Sequence, residues 1–345
     1  MVPTDLPITM PEFLERFGSE ESCRDHLFDL RWPDGFRCKS CEGEAFYLLE
    51  TRTHVYQCRQ CDAQNSLLAG TIFEQTKSPL RRWFLAFHLF LASKGAISAL
   101  ELKHQMGFGS NQTAWTWLHK IRSALELRGA PLEGVVEVDE TYVGGPKPGR
   151  PGRGAAGKTL VAGAVERRTR EVAAPDPERF SGIVRTLAEK VVERLAREGA
   201  IKLPCLGRAR LAVVPDASSN SLVDFVKSVV AAGASVVSDA WSGLAPLARS
   251  GYGHERINIA RSSGEAHEYL PATHLVFALV KRVLLGTYHG GIGARHLPAY
   301  LDEYVFRFNR RHLAPARRTC AAIARAVGTP PYRNWEICGR STRPT

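Results

Sequence analysis

The chain has 345 residues, 44% of them hydrophobic and 23% charged, which is enough apolar material for two or three globular cores and too much for a disordered chain. The longest strongly apolar run, residues 83–92, is interrupted by His88 and is about half the length of a membrane-spanning helix, and residues 1–10 carry no basic segment leading into an apolar one, so a soluble cytoplasmic protein is expected, with no membrane partner. Forty-six Lys and Arg against 35 Asp and Glu leave a net charge of +11, which favours a polyanionic partner without identifying it.

Residues 10–17 and 23–30 read as helices, and 31–68 hold two cysteine pairs with β-type residues at 46–49 and 54–56. Residues 79–126 read as entirely helical. Pro79 suits a first turn, and the helix it opens ends near Lys94-Gly95. Ser98 predicts an N-cap for a helix over 99–106, with Glu101 completing a capping box. Gly107-Phe108-Gly109-Ser110 then breaks the chain before a helix over 113–125. Helix, short glycine turn and helix match the helix-turn-helix outline, which any helical bundle also produces. On that outline residues 113–122 would read DNA, with Lys120 and Arg122 among the contacts.

From residue 134 the pattern changes to alternating strands and helices. Strands are expected at 135–143, 159–165, 209–214, 235–238 and 256–259, and helices at 221–232, 240–250 and 273–285. The order is β-β-β-α-β-α-β-α, with an extra helix near 179–198 read as an insertion at about 170–204. A Gly/Pro-rich loop at 144–157 carries Lys147, Arg150 and Arg153, with Lys158 just beyond it. Residues 296–327 read as helical and basic, with Arg307, Arg310, Arg311, Arg317 and Arg318 inside twelve residues. Arg310 and Arg311 are candidate phosphate contacts. Four regions result: N-terminal helices and a ribbon (1–68), a helical DNA-binding region (69–130), an α/β catalytic domain (131–290) and a basic helical tail (291–345).

Of eight cysteines, four form Cys38-x2-Cys41 and Cys58-x2-Cys61, separated by sixteen residues. Each short pair places two thiolates on one tight knuckle, and two knuckles supply the four sulfurs that tetrahedral zinc prefers. Such a zinc is structural, because no position is left open for chemistry. Arg37, Lys39 and Arg59 beside the pairs suit contact with phosphate.

Asp139 lies within an apolar strand, where a carboxylate is costly unless it is paired or binds a metal. Asp239 follows Val236-Val237-Ser238, at the C-terminal end of another strand, where α/β sheets tend to place ligands. Two acids on adjacent strands suit Mg2+, and two such ions about 3.5–4 Å apart can serve both the attacking and the leaving oxygen of a phosphodiester. The last helix offers His274 and Lys281, nearly two turns apart on one face and about 10 Å apart along the axis. One can reach metal while the other holds a phosphate. Each of these residues also has an ordinary explanation: strand-end caps, a helix-surface histidine, a solvated lysine. Their joint placement is what points to chemistry.

Val138-Asp139-Glu140-Thr141-Tyr142-Val143-Gly144-Gly145, Ser238-Asp239-Ala240-Trp241-Ser242-Gly243-Leu244, the interval from His274 to Lys281, and Tyr300-Leu301-Asp302-Glu303-Tyr304-Val305-Phe306-Arg307-Phe308-Asn309-Arg310-Arg311 resemble motifs of bacterial insertion-sequence transposases of the DDE type with an N-terminal zinc ribbon, the ISXO2-like group. The likeness extends to the cysteine pairs and to Ala69-Gly70-Thr71-Ile72-Phe73. It implies a ribonuclease-H-like catalytic domain, which the strand order allows, and two-metal cleavage and strand transfer on double-stranded DNA, both transposon ends and target, by a homo-oligomer. The resemblance implies Glu as third ligand in the broader DDE class, whereas relatives of this group can carry Asn or His. Here His274 occupies the place, with Glu268 as competitor, and imidazole shifts the preference from Mg2+ toward Mn2+. Two other functions compete: a DNA-binding regulator with a degenerate catalytic domain, and a nuclease of the same fold without strand transfer. The retention of Asp139, Asp239 and Lys281 weighs against the regulator.

Overall fold

A computed structural model describes residues 6–7, 9–126, 129–144, 158–171, 175–179, 181–198, 202–261, 265–332 and 337. Lys147, Arg150 and Arg153 of the expected basic loop lie outside the described residues. The chain divides into two compact units.

The first unit takes the described residues up to 126, Gly144, and those from Val280 onward. Helices α1 (Met10–Arg16) and α2 (Glu20–Arg31) precede a three-stranded antiparallel sheet of β1 (Phe46–Leu48), β2 (Val55–Cys58) and β3 (Gln64–Ser66). Thr9 and Glu12 close a reciprocal capping box on α1. Helices α3 (Leu80–Ala92), α4 (Ala99–Met106) and α5 (Asn111–Ser123) follow. Pro79 offers α3 no capping side chain; instead Glu20 of α2 accepts from Leu80 N and Arg81 N at 2.8 and 3.0 Å. Ser98 caps α4 as expected, but Glu101 accepts from Gln105 Nε2 at 2.5 Å, one turn along the helix. Gly107 ends α4 at φ +64°, a left-handed conformation that glycine adopts without a Cβ penalty.

Trp83 of α3 and Trp117 of α5 stack with centroids 3.8 Å apart, inside a core rich in aromatic side chains. The segment expected as a basic tail contributes to that core. Helices near the C-terminus bring Phe306, Cys320 and Ile323 into it, because their apolar residues repeat at helical spacing, and Arg307 packs inward as well, donating to Leu91 O and Ser93 O.

Arg122 corrects an expectation. It is 1% exposed, and its Nε donates to Glu303 Oε2 at 2.8 Å while its guanidinium lies 3.9 Å from the Tyr300 ring centroid. It is therefore a core residue and not a DNA contact: its partner is supplied 181 residues away in sequence, beyond what the pattern of one helix reveals.

The second unit spans residues 129–143 and 158–279. Its strands are β4 (Val135–Val143), β5 (Thr159–Glu171), β6 (Lys202–Val213), β7 (Ser235–Asp239) and β8 (Gly253–Ile257), ordered β6-β5-β4-β7-β8. β4, β5 and β6 pair antiparallel, while β4, β7 and β8 pair parallel. β5 and β6 are longer than the sequence pattern indicates, pairing out to Glu171 and Lys202, so the expected insertion starts at the end of a long hairpin. It carries α6 (Gly182–Glu198), followed after β6 by α7 (Ser219–Val229). Residues 242–249, expected to be α-helical, form a 3-10 helix around Pro246, which lacks the N–H an α-helix would use. Two helices close the unit, α8 (Ala266–Tyr269) and α9 (Pro271–Tyr288), the latter passing into the first unit at Val280. Beyond it lie α10 (Leu297–Asn309) and α11 (Pro315–Val327).

Alternation along β4 assigns the sheet's two faces. Val136 and Val138 join Leu222 and Val226 of α7 in one core, so Glu137 and Asp139 point to the opposite face. There Gly163 pairs with Asp139 across β4 and β5, and an added Cβ on Gly163 would lie 2.6 Å from Phe277 of α9. The absence of a side chain at Gly163 is what lets α9 lie close against the acidic face.

Among the described residues no helix is long and apolar enough to cross a membrane.

Candidate functional site

The cysteine pairs converge as their spacing requires. The Sγ atoms of Cys38, Cys41, Cys58 and Cys61 all lie within 4.8 Å of one another. Two similar turns hold them: Cys38 N donates to Gly43 O and Cys58 N to Ala63 O, both at 3.0 Å. The residues after each pair, Glu42 and Asp62, take φ of +60° and +55°. Ser40 N and Gln60 N each donate to the first sulfur of their pair at 3.4 Å, and Asn65 Nδ2 donates to Cys38 Sγ. The Ser40 N–H, with help from Asn65, holds the Cys38 thiol down to about 6. At Cys41 the Gly43 N–H favours the thiolate, but the crowding of Cys61 and Cys58 outweighs it and pushes that thiol up to about 12. Four sulfurs this close cannot all ionise without a cation among them, and the donor set is that of a tetrahedral zinc ribbon.

The second constellation lies midway along β4, where its pairing with β7 stops, and at the C-terminal end of β7. Their parallel register runs to Val138 opposite Ser238, so Asp139 and Asp239 are the next residue on each of two adjacent strands. Asp139 is partly exposed; its Oδ1 accepts from Glu140 N at 2.8 Å, while Oδ2 lies 3.4 Å from His274 Nε2 on α9. Asp239 Oδ1 accepts from Trp241 N at 3.1 Å, and Trp241 is itself held by Nε1 donating to Ala217 O at 3.0 Å. Two carboxylates and an imidazole form an oxygen-rich donor set suited to a hard divalent cation with some tolerance for nitrogen. Adjacent donors of an octahedral ion at about 2.1 Å sit about 3 Å apart, close to the 3.4 Å between His274 and Asp139. Among the described residues, the four cysteines are the group whose ligand atoms all fall within 4.8 Å, so Asp139, Asp239 and His274 are gathered less tightly than the ribbon.

Glu268, the competing third ligand, is exposed on α8, where its Oε2 accepts from Glu265 N at 3.3 Å. Lys281 is half-buried on α9. Lys120 is half-buried on α5, and burial lowers the pKa of its ammonium. Arg310 stacks over Phe306 at 4.1 Å; Arg311 is exposed, lies 4.3 Å from the Phe308 centroid and donates to Phe308 O.

Sequence reasoning missed two groups around these acids. Glu137, fully buried, accepts from Arg167 Nε at 2.5 Å and from Thr273 N at 2.9 Å. Ser238, also buried, lies 2.8 Å by its Oγ from His254 Nε2 and donates to Asp239 O at 2.9 Å. The signal for Glu137 was available: a second carboxylate two residues before Asp139, on the same face of an otherwise apolar strand.

Residues 131–309 match the model of the ISXO2-like transposase domain, and residues 18–64 that of the transposase zinc-ribbon domain. The chain belongs to the ISXO2-like transposase family. Over 132 residues, 38% of the chain, it is also 31% identical to an uncharacterized protein in transposable element ISH50 of Halobacterium salinarum. That match spans 44% of the relative's length. In this ISXO2-like chain the transposase match contains Asp139, Asp239, His274 and Lys281, and the ribbon match contains all four paired cysteines.

Proposed function

We propose that this chain is a DNA transposase that cleaves and joins the ends of an insertion element with divalent metal held by Asp139, Asp239 and His274. The observation that carries the proposal is the placement of two carboxylates on adjacent parallel strands, each just past the last paired residues Val138 and Ser238, with an imidazole from α9 at 3.4 Å from one of them. The sheet order β6-β5-β4-β7-β8, antiparallel over β4, β5 and β6 and parallel over β4, β7 and β8, supports a ribonuclease-H-like catalytic domain. Bound Mg2+ or Mn2+, in a pair, would supply the Lewis acidity that phosphodiester chemistry requires. The protein's own part is orientation. Glu140 N and Trp241 N each hold one carboxylate oxygen, and the second oxygen of Asp139 lies 3.4 Å from His274 Nε2. Lys281, seven residues along α9 from His274, would hold a DNA phosphate.

Cys38, Cys41, Cys58 and Cys61 would hold one structural Zn2+. End recognition falls to the regions before residue 130, with α4 and α5 as a helix-turn-helix and Lys120 among its contacts. Arg310 and Arg311 would hold phosphates irrespective of sequence. The partner is double-stranded DNA, bound by a homo-oligomer in the cytoplasm.

The test uses the full chain and a supercoiled plasmid carrying the element's terminal repeats. Cleavage at the repeats and transfer of the freed 3′-hydroxyl into target DNA, both dependent on Mn2+ or Mg2+, are expected. Binding without cleavage would favour a regulator, and cleavage without joining a nuclease.

A further inference from the structure

We propose that Glu137 is the positioning residue of the metal site: its buried carboxylate fixes the first turn of α9 and thereby sets His274 over Asp139. This rests on the reading of Asp139, Asp239 and His274 as metal ligands.

Glu137 has the position of a ligand and the bonding of a clamp. It lies on β4 two residues before Asp139, on the same face, and is 0% exposed. A carboxylate so buried is costly unless its oxygens are engaged. Oε2 accepts from Thr273 N at 2.9 Å and Thr273 Oγ1 at 3.3 Å, while Oε1 accepts from Arg167 Nε at 2.5 Å. A cation at Glu137 would have to displace those bonds.

α9 needs an external cap. The first N–H groups of a helix have no partner within it. Leu270, the residue before α9, has no side chain that could supply one, and Pro271 has no N–H. The carboxylate of Glu137, 136 residues earlier in the chain, takes the Thr273 N–H and places negative charge at the positive end of the helix. Arg167 completes the clamp, because its Nη2 donates to Tyr269 O at 2.7 Å and so holds the junction of α8 and α9. Both tethers act within five residues of His274. Gly163 fixes how closely the helix approaches the sheet; Glu137 fixes its register along the strand.

The test measures Mn2+ affinity of the zinc-loaded full chain, by electron paramagnetic resonance of free Mn2+, without DNA or turnover. His274→Ala should weaken binding about tenfold or more, the usual size of losing a ligand or its supporting partner. Glu137→Ala should weaken it about tenfold, whereas Glu137→Gln, which keeps an acceptor for Thr273, should stay within about threefold. The deciding result is the double variant: Glu137→Ala with His274→Ala should bind no more than about twofold worse than His274→Ala, since both losses act through one imidazole. Arg167→Met, at a side chain 37% exposed, is the second route should Glu137→Ala not fold. It should weaken binding about threefold, and only while His274 is present. Additive losses in that double variant or in Arg167→Met with His274→Ala, or unchanged affinity in Glu137→Ala beside a weakened His274→Ala, would overturn the clamp alone. Unchanged affinity in His274→Ala would overturn the ligand assignment, and the clamp with it.

Discussion

Replacing Gly163 by Ala perturbs the approach of α9 without touching any candidate ligand. The new Cβ would lie 2.6 and 2.7 Å from two ring carbons of Phe277 and 3.0 Å from Leu211 Cδ2. Ordinary carbon contacts need about 3.5–4.0 Å, so the ring must retreat by about 1 Å. Phe277 is 5% exposed and cannot swing into solvent; α9 must move with it. Overpacking of this kind costs about 1–3 kcal/mol, and at about 2–4 °C per kcal/mol for a unit of this size the melting temperature should fall by about 2–12 °C. Displacing His274 by about 1 Å should lower cleavage about 100-fold. Calorimetry and a cleavage assay on the same protein check both effects. Adding Phe277→Leu should recover part of each, because the smaller side chain vacates the space the Cβ takes. Unchanged melting and activity in Gly163→Ala, or no recovery in the double variant, would refute the close-approach reasoning.

Metal analysis of the purified chain should give about one zinc per chain, and Cys58→Ser should release it and unfold the ribbon, read as loss of protection around Tyr56. Arg122→Ala should destabilise the first unit by about 1–3 kcal/mol, because buried Glu303 Oε2 loses its charged donor while Oε1 keeps Arg307. A loss of DNA affinity without loss of stability would contradict that core role. His119 is pushed down to about 3, chiefly by burial. Unfolded, it takes up a proton below about 6.5; folded, it does not until about 3, so its contribution is present above pH 6.5 and is lost as pH falls through that window. Denaturant titrations between pH 7 and 4 should show the decline, and His119→Phe should reduce it.

Local signals in the sequence located most elements. Ser98, Gly107 and Ser110 mark the α4–α5 boundary with side chains and backbone that act within a few residues. The cysteine spacing encodes its own knuckles, and Asp139 stands out because the strand around it is apolar. What was hidden depends on partners far along the chain. Arg122 reads as a surface residue at the end of a helix until Glu303 is placed beside it. The sequence pattern of β6 covers only six residues because Pro204 and Gly207 weaken its early part, which the pairing with β5 restores. Glu137 carries no local signal of its role, which comes from Thr273 and Arg167, neither of which shares a local pattern with it.

The assignment of metal to Asp139, Asp239 and His274 is tested most directly by letting the ion report its own position. Fe2+ exchanged into the zinc-loaded full chain, with ascorbate and peroxide, cuts the backbone next to wherever it binds. Cuts are expected in three separate segments, around residues 139, 239 and 274, all suppressed by excess Mn2+ and lost together in Asp139→Ala. Cuts around 265–268 in place of 274, or a pattern unaffected by Asp139→Ala, would contradict the proposed centre.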